Sequence, residues 1–346
     1  MHHIETFLKE HAKFLRRTPL WNLLRLIYHL GLRKNPLRDL LRILYYLRRT
    51  SSYRFISRSP PGHPDSPIPD YRFISARLHG LFGFSHDSFR PGEDYSVLPG
   101  RDANRCLGIE LQEDAQLELL EKFSRYYKDL PFSETPSTTT RYYYQNAWFK
   151  RADATILYSV LRHYNPSTII EVGSGYSSAI MMDVNDLFLG NKVHLTFIEP
   201  DPTRLFSLLG QAEQYALLEK QVQDVPLEMF RNLSSNDILF VDSSHVVKAG
   251  SDVAHLLFNV LPELRPGVIV HFHDIPWPFE YPLEWFHRGS AWNEAYFLRG
   301  FLQYNQAFEI VYFNSFMTER HTELLQKKMP WCAEFAGTSL WLRKIS

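Results

Sequence analysis

The sequence predicts an open, doubly wound α/β fold for its C-terminal half. From about Ala152 onward, segments with apolar residues at helical spacing alternate with short apolar runs of strand length. The runs up to Ile275 are almost continuously apolar, as expected for parallel strands that helices cover on both faces. A fold of this kind binds its ligands at the carboxyl ends of its strands.

The same periodicities predict the order of the elements. Ahead of the alternation, the segment 111–130 has the pattern of an amphipathic helix. The alternation itself begins with a helix and ends with two strands. Its predicted members are a helix at 152–164, a strand at 167–173, a helix at 177–188, a strand at 192–200, a helix at 202–210, strands at 219–225 and 236–244, a helix at 251–264, a strand at 267–275, a helix at 292–305, and strands at 308–314 and 339–345.

Ahead of residue 151, the sequence changes character twice. Residues 1–58 predict a basic extension of short amphipathic helices, and the Pro-rich stretch 59–69 predicts a linker. Residues 70–150 predict a helical and irregular region that acts either as a lid or as a packing collar. The domain that carries the alternation is predicted at 151–346.

Charge is unevenly distributed along a chain whose formal net charge is zero. Residues 1–60 hold 13 Lys and Arg against 3 Asp and Glu, and the rest of the chain holds 25 against 35. Two interpretations stay open: the basic helices cap the acidic body, or residues 1–50 contact the anionic inner face of a membrane. No recognised nucleic-acid motif accompanies the basic residues, so we expect no nucleic-acid partner.

Composition excludes several classes of protein. Hydrophobic residues make up 45% of the chain and charged residues 22%, which is typical of a soluble globular protein. Cys106 and Cys332 are the only cysteines, which excludes a disulfide framework and a structural zinc site and fits a reducing cytoplasm. Neither a signal peptide nor an apolar membrane span is recognisable. We therefore expect a cytoplasmic protein, with or without peripheral contact at the inner membrane face.

The most informative turn is IIEVGSGYSS, which joins an apolar strand to a helix. Gly173 and Gly175 permit a positive φ and let a ligand approach the main chain closely, while the helix that follows offers free amides. Glu171 precedes the first glycine by two residues, and Glu199 closes the next strand, where a carboxylate can accept hydrogen bonds from ribose hydroxyls. Ser178 occupies the position of the third glycine of a dinucleotide-binding turn, which disfavours NAD and FAD.

These residues form part of a longer series. The stretches IIEVGSGYSS, FIEPDP, DILFVDSSH and GVIVHFHDI, in that order and spacing, resemble the motifs of class I S-adenosylmethionine-dependent methyltransferases. The resemblance covers roughly residues 150–346 and looks closest to a poorly characterised bacterial branch similar to small-molecule and glycan O-methyltransferases. It implies a Rossmann-like sheet of seven strands, the last antiparallel and inserted beside the sixth, and S-adenosyl-L-methionine as the cofactor.

The resemblance also assigns cofactor-binding residues. The methionine part of the cofactor would be held by Glu171, Gly173, Ser174 and Gly175. The ribose would be bound by Glu199. Asp224 lies where the family contacts the adenine ring.

Four residues are candidates for catalysis. The strand order that the resemblance implies puts Asp242 and Asp274 at the ends of neighbouring strands, about 4.8 Å apart. Alternation along the second of these strands places His271 and His273 on one face and Asp274 on the other. We interpret His271, the deeper histidine, as a core residue. His273 at the strand end, and His245 beyond Asp242, are the better candidates.

Two mechanisms remain open for these four residues. In the first, Asp242 and Asp274, with His245 or His273, bind a divalent ion that holds the acceptor hydroxyl and lowers its pKa, as in metal-dependent O-methyltransferases of this fold. Position 273 is commonly acidic in those enzymes, so the histidine departs from their pattern and does not favour Mg²⁺. In the second, His245 or His273 is a metal-free general base.

The sequence therefore predicts an S-adenosylmethionine-dependent methyltransferase that acts on an oxygen of a small-molecule or glycan-type acceptor. The alternative is a non-catalytic assembly or membrane-associated protein that keeps this fold as a scaffold. A third hypothesis, an NAD-linked oxidoreductase, is disfavoured by Ser178 and by the terminal pair of strands.

Overall fold

The computed structural model describes residues 106–209, 214–282, 285, 290, 292–334 and 336–346. The predicted divisions at residues 58 and 69, and the basic helices of residues 1–58, lie outside these ranges. All elements described below belong to one compact unit, Gly83–His287 with Ala291–Ser346. None of the described helices is both long enough and apolar enough to cross a membrane.

Helices and strands alternate as the sequence predicts. The strands are β1 (Thr168–Val172), β2 (His194–Ile198), β3 (Ala216–Leu218), β4 (Ile238–Val241), β5 (Ile269–Phe272), β6 (Phe308–Phe313) and β7 (Leu340–Lys344). The helices are α1 (Glu113–Tyr127), α2 (Arg151–Tyr164), α3 (Tyr176–Phe188), α4 (Thr203–Leu208), α5 (Leu227–Arg231), α6 (Asp252–His255), α7 (Glu294–Leu302), α8 (Asn314–Arg320), α9 (Thr322–Lys328) and α10 (Pro330–Glu334).

The seven strands form one sheet in the order β3-β2-β1-β4-β5-β7-β6. The first five strands are parallel, and β7 runs antiparallel to both β5 and β6. Strands β1, β4 and β5 are buried over nearly their whole length, which is why their sequences are continuously apolar rather than alternating. The predicted Rossmann-like fold with an antiparallel last strand is confirmed.

The third strand differs from the prediction. Strand β3 covers three residues at the sheet edge, and Val222–Asp224 form a 3-10 turn where a strand at 219–225 is predicted. Val222 and Val225 are the buried residues there. Their spacing of three fits a 3-10 turn and does not fit the two-residue alternation of a strand.

Two further differences concern helices. The predicted helix at 251–264 starts as α6, widens to a π-helix at Leu256–Val260 and ends as a 3-10 turn at Leu261–Glu263. Pro262 lacks the N–H that would continue the ladder of hydrogen bonds there. Helices α8, α9 and α10 separate β6 from β7, whereas the sequence predicts the two strands without naming these helices.

The parallel strands end at the same level. Val172 of β1 pairs with Ile198 of β2 and with Val241 of β4, and Val241 pairs with Phe272 of β5. The next residue along each strand therefore lies on one row at the carboxyl edge of the sheet. That row consists of Glu199, Gly173, Asp242 and His273.

Candidate active site

The turn after β1 has no room for a side chain at its first glycine. Gly173 adopts a φ of +81°, and a Cβ atom there would lie 1.9 Å from the carbonyl oxygen of Asp242. The N–H of Gly173 donates to the carbonyl of Ile198 at 3.0 Å, and the N–H of Asp242 donates to the carbonyl of Val172 at 2.9 Å. The turn is therefore wedged between the ends of β2 and β4.

Glu199 connects the end of β2 to this turn. Its side chain is 3% exposed. One carboxylate oxygen accepts the N–H of Ser174 at 3.1 Å, and the other accepts the N–H of Asp201 at 2.9 Å. Each oxygen of an ionised carboxylate has a second lone pair, so Glu199 retains the capacity to accept hydrogen bonds from hydroxyl groups.

Glu171 is fully buried beneath the turn. Its carboxyl group accepts the hydroxyl of Ser177 at 2.5 Å and the hydroxyl of Ser178, and Ser178 accepts the N–H of Gly175 at 2.9 Å. Burial raises the pKa of Glu171 to about 8, against the opposing effect of the two serine hydroxyls. Glu171 thus fixes the start of α3, and Ser178 has a structural role in the place of the missing third glycine.

One polar atom of the turn is buried and has no partner among the described protein atoms. It is the hydroxyl oxygen of Ser174, whose residue is 6% exposed. A buried hydroxyl without a hydrogen bond is unfavourable, so this atom indicates a ligand group at the turn. Together with the main-chain cradle at Gly173, it makes the turn fit a small polar ligand such as the cofactor that the sequence implies.

Asp224 lies apart from the turn. It is exposed at the end of the 3-10 turn, and its N–H donates to the carbonyl of Gln221 at 3.0 Å. The structure therefore brings five of the six predicted cofactor residues together at the ends of β1 and β2. The adenine contact of Asp224 stays a prediction.

Three of the four catalytic candidates meet beyond β4 and β5. The Nε2 atom of His245 lies 3.4 Å from Oδ1 of Asp242 and 3.7 Å from Oδ2 of Asp274. On its other side, Nδ1 lies 2.9 Å from Oε2 of Glu294, which is 1% exposed. His245 is itself held in a left-handed conformation at φ 60°. The imidazole thus lies between one buried carboxylate and two partly exposed ones.

Carboxylates decide the electrostatics of His245. Burial disfavours the charged imidazole, but Asp242, Glu294 and Asp274 outweigh burial and raise the pKa of His245 well above its ordinary value. These carboxylates therefore favour the charged form of the ring, which carries a proton on each nitrogen. A group that is to take a proton from an acceptor must first lose one, so the basic form of His245 gains population as the pH rises.

His273, the fourth candidate, is more deeply buried than Asp242 and Asp274. Its Nε2 atom is 3.6 Å from Oδ1 of Asp274, its ring packs on Phe149, and the side chain is 4% exposed. Alternation predicts opposite faces for His273 and Asp274, but Asp274 has a φ of 57° and turns the chain back. The predicted burial of His271 is confirmed, since its ring stacks on Phe240 at 3.7 Å and its Nε2 contacts Ser339 Oγ at 2.9 Å.

A buried carboxylate on α2 supports this region from behind. Asp153 accepts hydrogen bonds from the side chains of Asn314 and Ser339 and from the N–H groups of Thr338 and Ser339. Thr338 then donates its hydroxyl to Oδ1 of Asp274 at 3.1 Å. The segment before β7 therefore orients Asp274.

The sequence analysis missed Glu294, Asp153 and Thr338. Glu294 follows Asn293 at the start of α7, and the N–H groups of both residues donate to the carbonyl of His245 at 3.3 and 3.1 Å. The partner of Glu294 lies 49 residues away along the chain, and one partner of Asp153 lies 186 residues away. No local pattern in the sequence therefore reveals these pairings. The one available signal is a carboxylate in a helix start that is otherwise apolar.

The predicted metal ligands Asp242 and Asp274 both lie within 4 Å of the Nε2 atom of His245. Within residues that the structure describes, no group of three or more His, Cys, Asp or Glu side chains has the arrangement of a metal site. The assignment of Asp242 and Asp274 as metal ligands stays a prediction.

Aromatic side chains border the His245 region. The ring of Trp292 lies 4.4 Å from the ring of His245, and Tyr281 and Trp285 pack on Trp292 at 6.0 and 5.2 Å. Tyr281 is buried, whereas Trp285 and Trp292 are half-buried. Trp277 and Phe279, which precede Tyr281 in the same segment, are core residues.

The segment 131–150, which we call the collar segment, packs along α3. Asp183 of α3 accepts the N–H groups of Arg141 and Tyr142 at 3.0 Å, and the hydroxyls of Tyr143 and Tyr176 are 2.7 Å apart. The collar segment therefore reaches the first residue of α3, next to the glycine turn.

Comparison with known proteins adds family information. A model described as a methyltransferase domain matches residues 170–275. An uncharacterised protein from Archaeoglobus fulgidus is 35% identical over 185 residues, which cover 52% of this chain and 75% of that protein.

Two solved structures are similar in part. One is the O-methyltransferase TomG from Streptomyces achromogenes, involved in tomaymycin synthesis and solved with SAM, at 15% identity, a TM-score of 0.35, and coverage of 66% of this chain and 90% of that chain. The other is the SAH-bound methyltransferase PaMTH1 from Podospora anserina, at 14% identity, a TM-score of 0.37, and coverage of 81% and 99%.

Proposed function

We propose that this chain, which belongs to the class I S-adenosylmethionine-dependent methyltransferases, binds S-adenosylmethionine at the turn after β1. It transfers the methyl group of the cofactor to an oxygen atom of a small-molecule or glycan-type acceptor. The observation that carries the proposal is the turn itself. Gly173 tolerates no side chain, Ser174 Oγ is buried without a partner among the residues that the structure describes, and Glu199 closes the adjacent strand.

Different residues would contact different parts of the cofactor. Gly173, Ser174 and Gly175 would lie against the methionine part, with Glu171 holding the start of α3 in place beneath them. Glu199 would accept the ribose hydroxyls, and Asp224 would contact the adenine. When bound, S-adenosylmethionine supplies an electrophilic methyl group, so the protein must orient an acceptor and remove a proton from it.

We assign the proton transfer to His245. Its Nε2 atom faces Asp242 and Asp274 at the exposed side of the site, while Glu294 fixes the ring through Nδ1. The arrangement of a carboxylate behind an imidazole is the one that orients a general base. Asp242 and Asp274 would accept hydrogen bonds from hydroxyls of the acceptor, and Trp292 would offer its ring face to a sugar or aromatic ring.

Calorimetric titration of the full chain with S-adenosylhomocysteine tests the cofactor site. Glu199→Gln keeps the size of the side chain but loses its charge, and we expect it to weaken binding at least about 10-fold, because hydrogen bonds to a charged acceptor contribute about 1.5–3 kcal/mol. Glu228→Gln, at a carboxylate that is 67% exposed on α5, is the matched control. Unchanged binding by Glu199→Gln, or no binding by the unsubstituted chain, would refute the proposal.

A further inference from the structure

Arg204 crosses the glycine turn from the side of β2. It lies in the first turn of α4, five residues after Glu199. A Cβ atom built on Gly175 would lie 3.0 Å from Cδ of Arg204 and 3.9 Å from Nη1. The arginine side chain therefore covers Gly175, the residue before α3, where the main-chain N–H groups of the first helical turn have no acceptor within the helix.

Trp148 of the collar segment holds the guanidinium group in a defined orientation. The Cζ atom of Arg204 lies 3.8 Å from the centroid of the Trp148 ring system, which is within the range of a close cation–π contact. Trp148 is 39% exposed. A guanidinium stacked by its face still directs its N–H groups sideways, in its own plane.

Acidic side chains around the turn favour a cation beside any carboxylate that binds there. Glu199 and Asp242 lie close enough to Glu171 to disfavour its ionisation further. The amino-acid part of S-adenosylmethionine carries an ammonium group, which these acidic residues would attract, and a carboxylate, which they would repel. A cation beside the turn removes that repulsion, and Arg204 is placed there by its contact with Gly175.

The unpartnered hydroxyl of Ser174 points to the same ligand. Its oxygen is buried and lacks a hydrogen-bond partner in the described structure. A carboxylate that bonds to an arginine fork also has lone pairs left to accept a hydroxyl and helix amides. Arg204, Ser174 and the start of α3 thus offer donors of the number and kind that one carboxylate takes.

We propose that Arg204 binds the carboxylate of the amino-acid part of the cofactor, and that Trp148 positions the guanidinium for this contact. This inference rests on the proposed function, because it presumes that the cofactor lies at the turn. It assigns the collar segment a share in cofactor recognition. Trp148 is a positioning residue, and it acts through Arg204.

The test compares two ligands that differ in the group concerned. S-adenosylhomocysteine carries the amino-acid carboxylate, whereas 5′-methylthioadenosine shares the nucleoside and sulfur but lacks the amino-acid part. We expect Arg204→Ala to weaken binding of the first ligand about 10- to 100-fold in calorimetry, the loss expected for charge-assisted hydrogen bonds. Binding of the second should change by no more than about twofold. Arg204→Gln should behave like Arg204→Ala, which guards against a defect from the loss of side-chain bulk.

Trp148→Leu removes the ring under the guanidinium and keeps an apolar side chain. We expect a selective loss of about 2- to 5-fold for S-adenosylhomocysteine, in line with a cation–π contact at a partly exposed site. Arg231→Ala, on the exposed ion pair with Glu263, is the control and should change neither affinity. Quenching of tryptophan fluorescence by S-adenosylhomocysteine, reduced in Trp148→Phe, gives an independent signal.

The outcomes separate the two proposals. If the unsubstituted chain binds neither ligand, the proposed function fails and this inference fails with it. If the chain binds S-adenosylhomocysteine but Arg204→Ala weakens both ligands equally, or neither, the cofactor site stands and the role of Arg204 is wrong. Circular dichroism and melting curves of each variant show whether an equal loss comes from a folding defect, and Arg204→Gln then repeats the comparison on a folded variant.

Discussion

At the scale of single residues, the turn after β1 depends on the absence of one Cβ atom. Gly173→Ala would place that atom 1.9 Å from a carbonyl oxygen in a left-handed conformation, so the turn must move. We expect the variant to lose S-adenosylhomocysteine binding in calorimetry and to melt at a lower temperature. Gly300→Ala, at an exposed helical glycine with no atom within 4 Å of the added Cβ, should keep binding and gain about 0.5–1 kcal/mol of stability. Normal binding by Gly173→Ala would contradict the geometry.

Glu171 makes stability depend on pH. Its pKa is raised to about 8 in the folded chain, chiefly by burial, above the value of about 4.5 in the unfolded chain. The folded state therefore binds this proton more tightly, and the resulting stability is present below pH 4.5 and is lost as the pH rises towards 8. Glu171→Gln has no proton to lose, so its stability should change less between pH 4.5 and 8 than that of the unsubstituted chain. Urea unfolding at several pH values measures it, and parallel pH curves for the two proteins would show the assignment to be wrong.

His245 should titrate at a pH that Glu294 controls. Burial opposes its charge, but the carboxylates of Asp242, Glu294 and Asp274 raise its pKa. Glu294→Gln removes one carboxylate beside the ring and should lower the pKa of His245. The NMR signal of the imidazole Cε1–H, assigned through His245→Gln, follows this without an acceptor. If His245 titrates at the same pH in both proteins, Glu294 does not control its pKa.

At the scale of elements, the buried carboxylate on α2 ties that helix to the segment before β7. Asp153→Asn places a donor against the N–H of Thr338, which now donates to Asp153 Oδ2 at 3.2 Å. We expect the free energy of unfolding to fall by about 1–3 kcal/mol, the cost of a buried polar group without its partner. Asp114→Asn, exposed on α1, should stay within about 0.5 kcal/mol. Equal stabilities of the two variants in urea unfolding would contradict this role of Asp153.

Strands and turns differ in how far the sequence could predict them. Strands β1, β4 and β5 follow from their continuous apolar runs, because burial on both faces leaves that pattern in the sequence. Strand β3 has three residues and pairs with β2 at the sheet edge, so its sequence pattern is weak. The alternation of apolar residues in 219–225 instead predicted a strand at those residues, and that prediction is wrong. The carboxyl-end residues of the candidate site were predictable from their places at strand ends. Glu294 was not, because its contact with His245 depends on the path of the chain between them.

At the scale of the whole molecule, charge separates the first sixty residues from the rest of the chain. The membrane interpretation predicts that vesicles containing phosphatidylserine sediment the full chain but not a chain that lacks residues 1–58. It also predicts that about 0.5 M salt releases the protein, since surface charges are screened within a few ångströms at that ionic strength. Vesicles of phosphatidylcholine alone are the control. If the two chains sediment equally, the membrane interpretation is wrong, and the interpretation of residues 1–58 as a helical cap remains.

The central claim is that the cofactor lies at the carboxyl ends of β1 and β2. Amide hydrogen exchange of the full chain, with and without saturating S-adenosylhomocysteine, tests this location directly. The account predicts slower exchange in peptides that cover 171–178 and 199–204, and no change in those that cover α9 and α10. Protection confined to other parts of the chain, or exchange that the ligand does not alter, would contradict it.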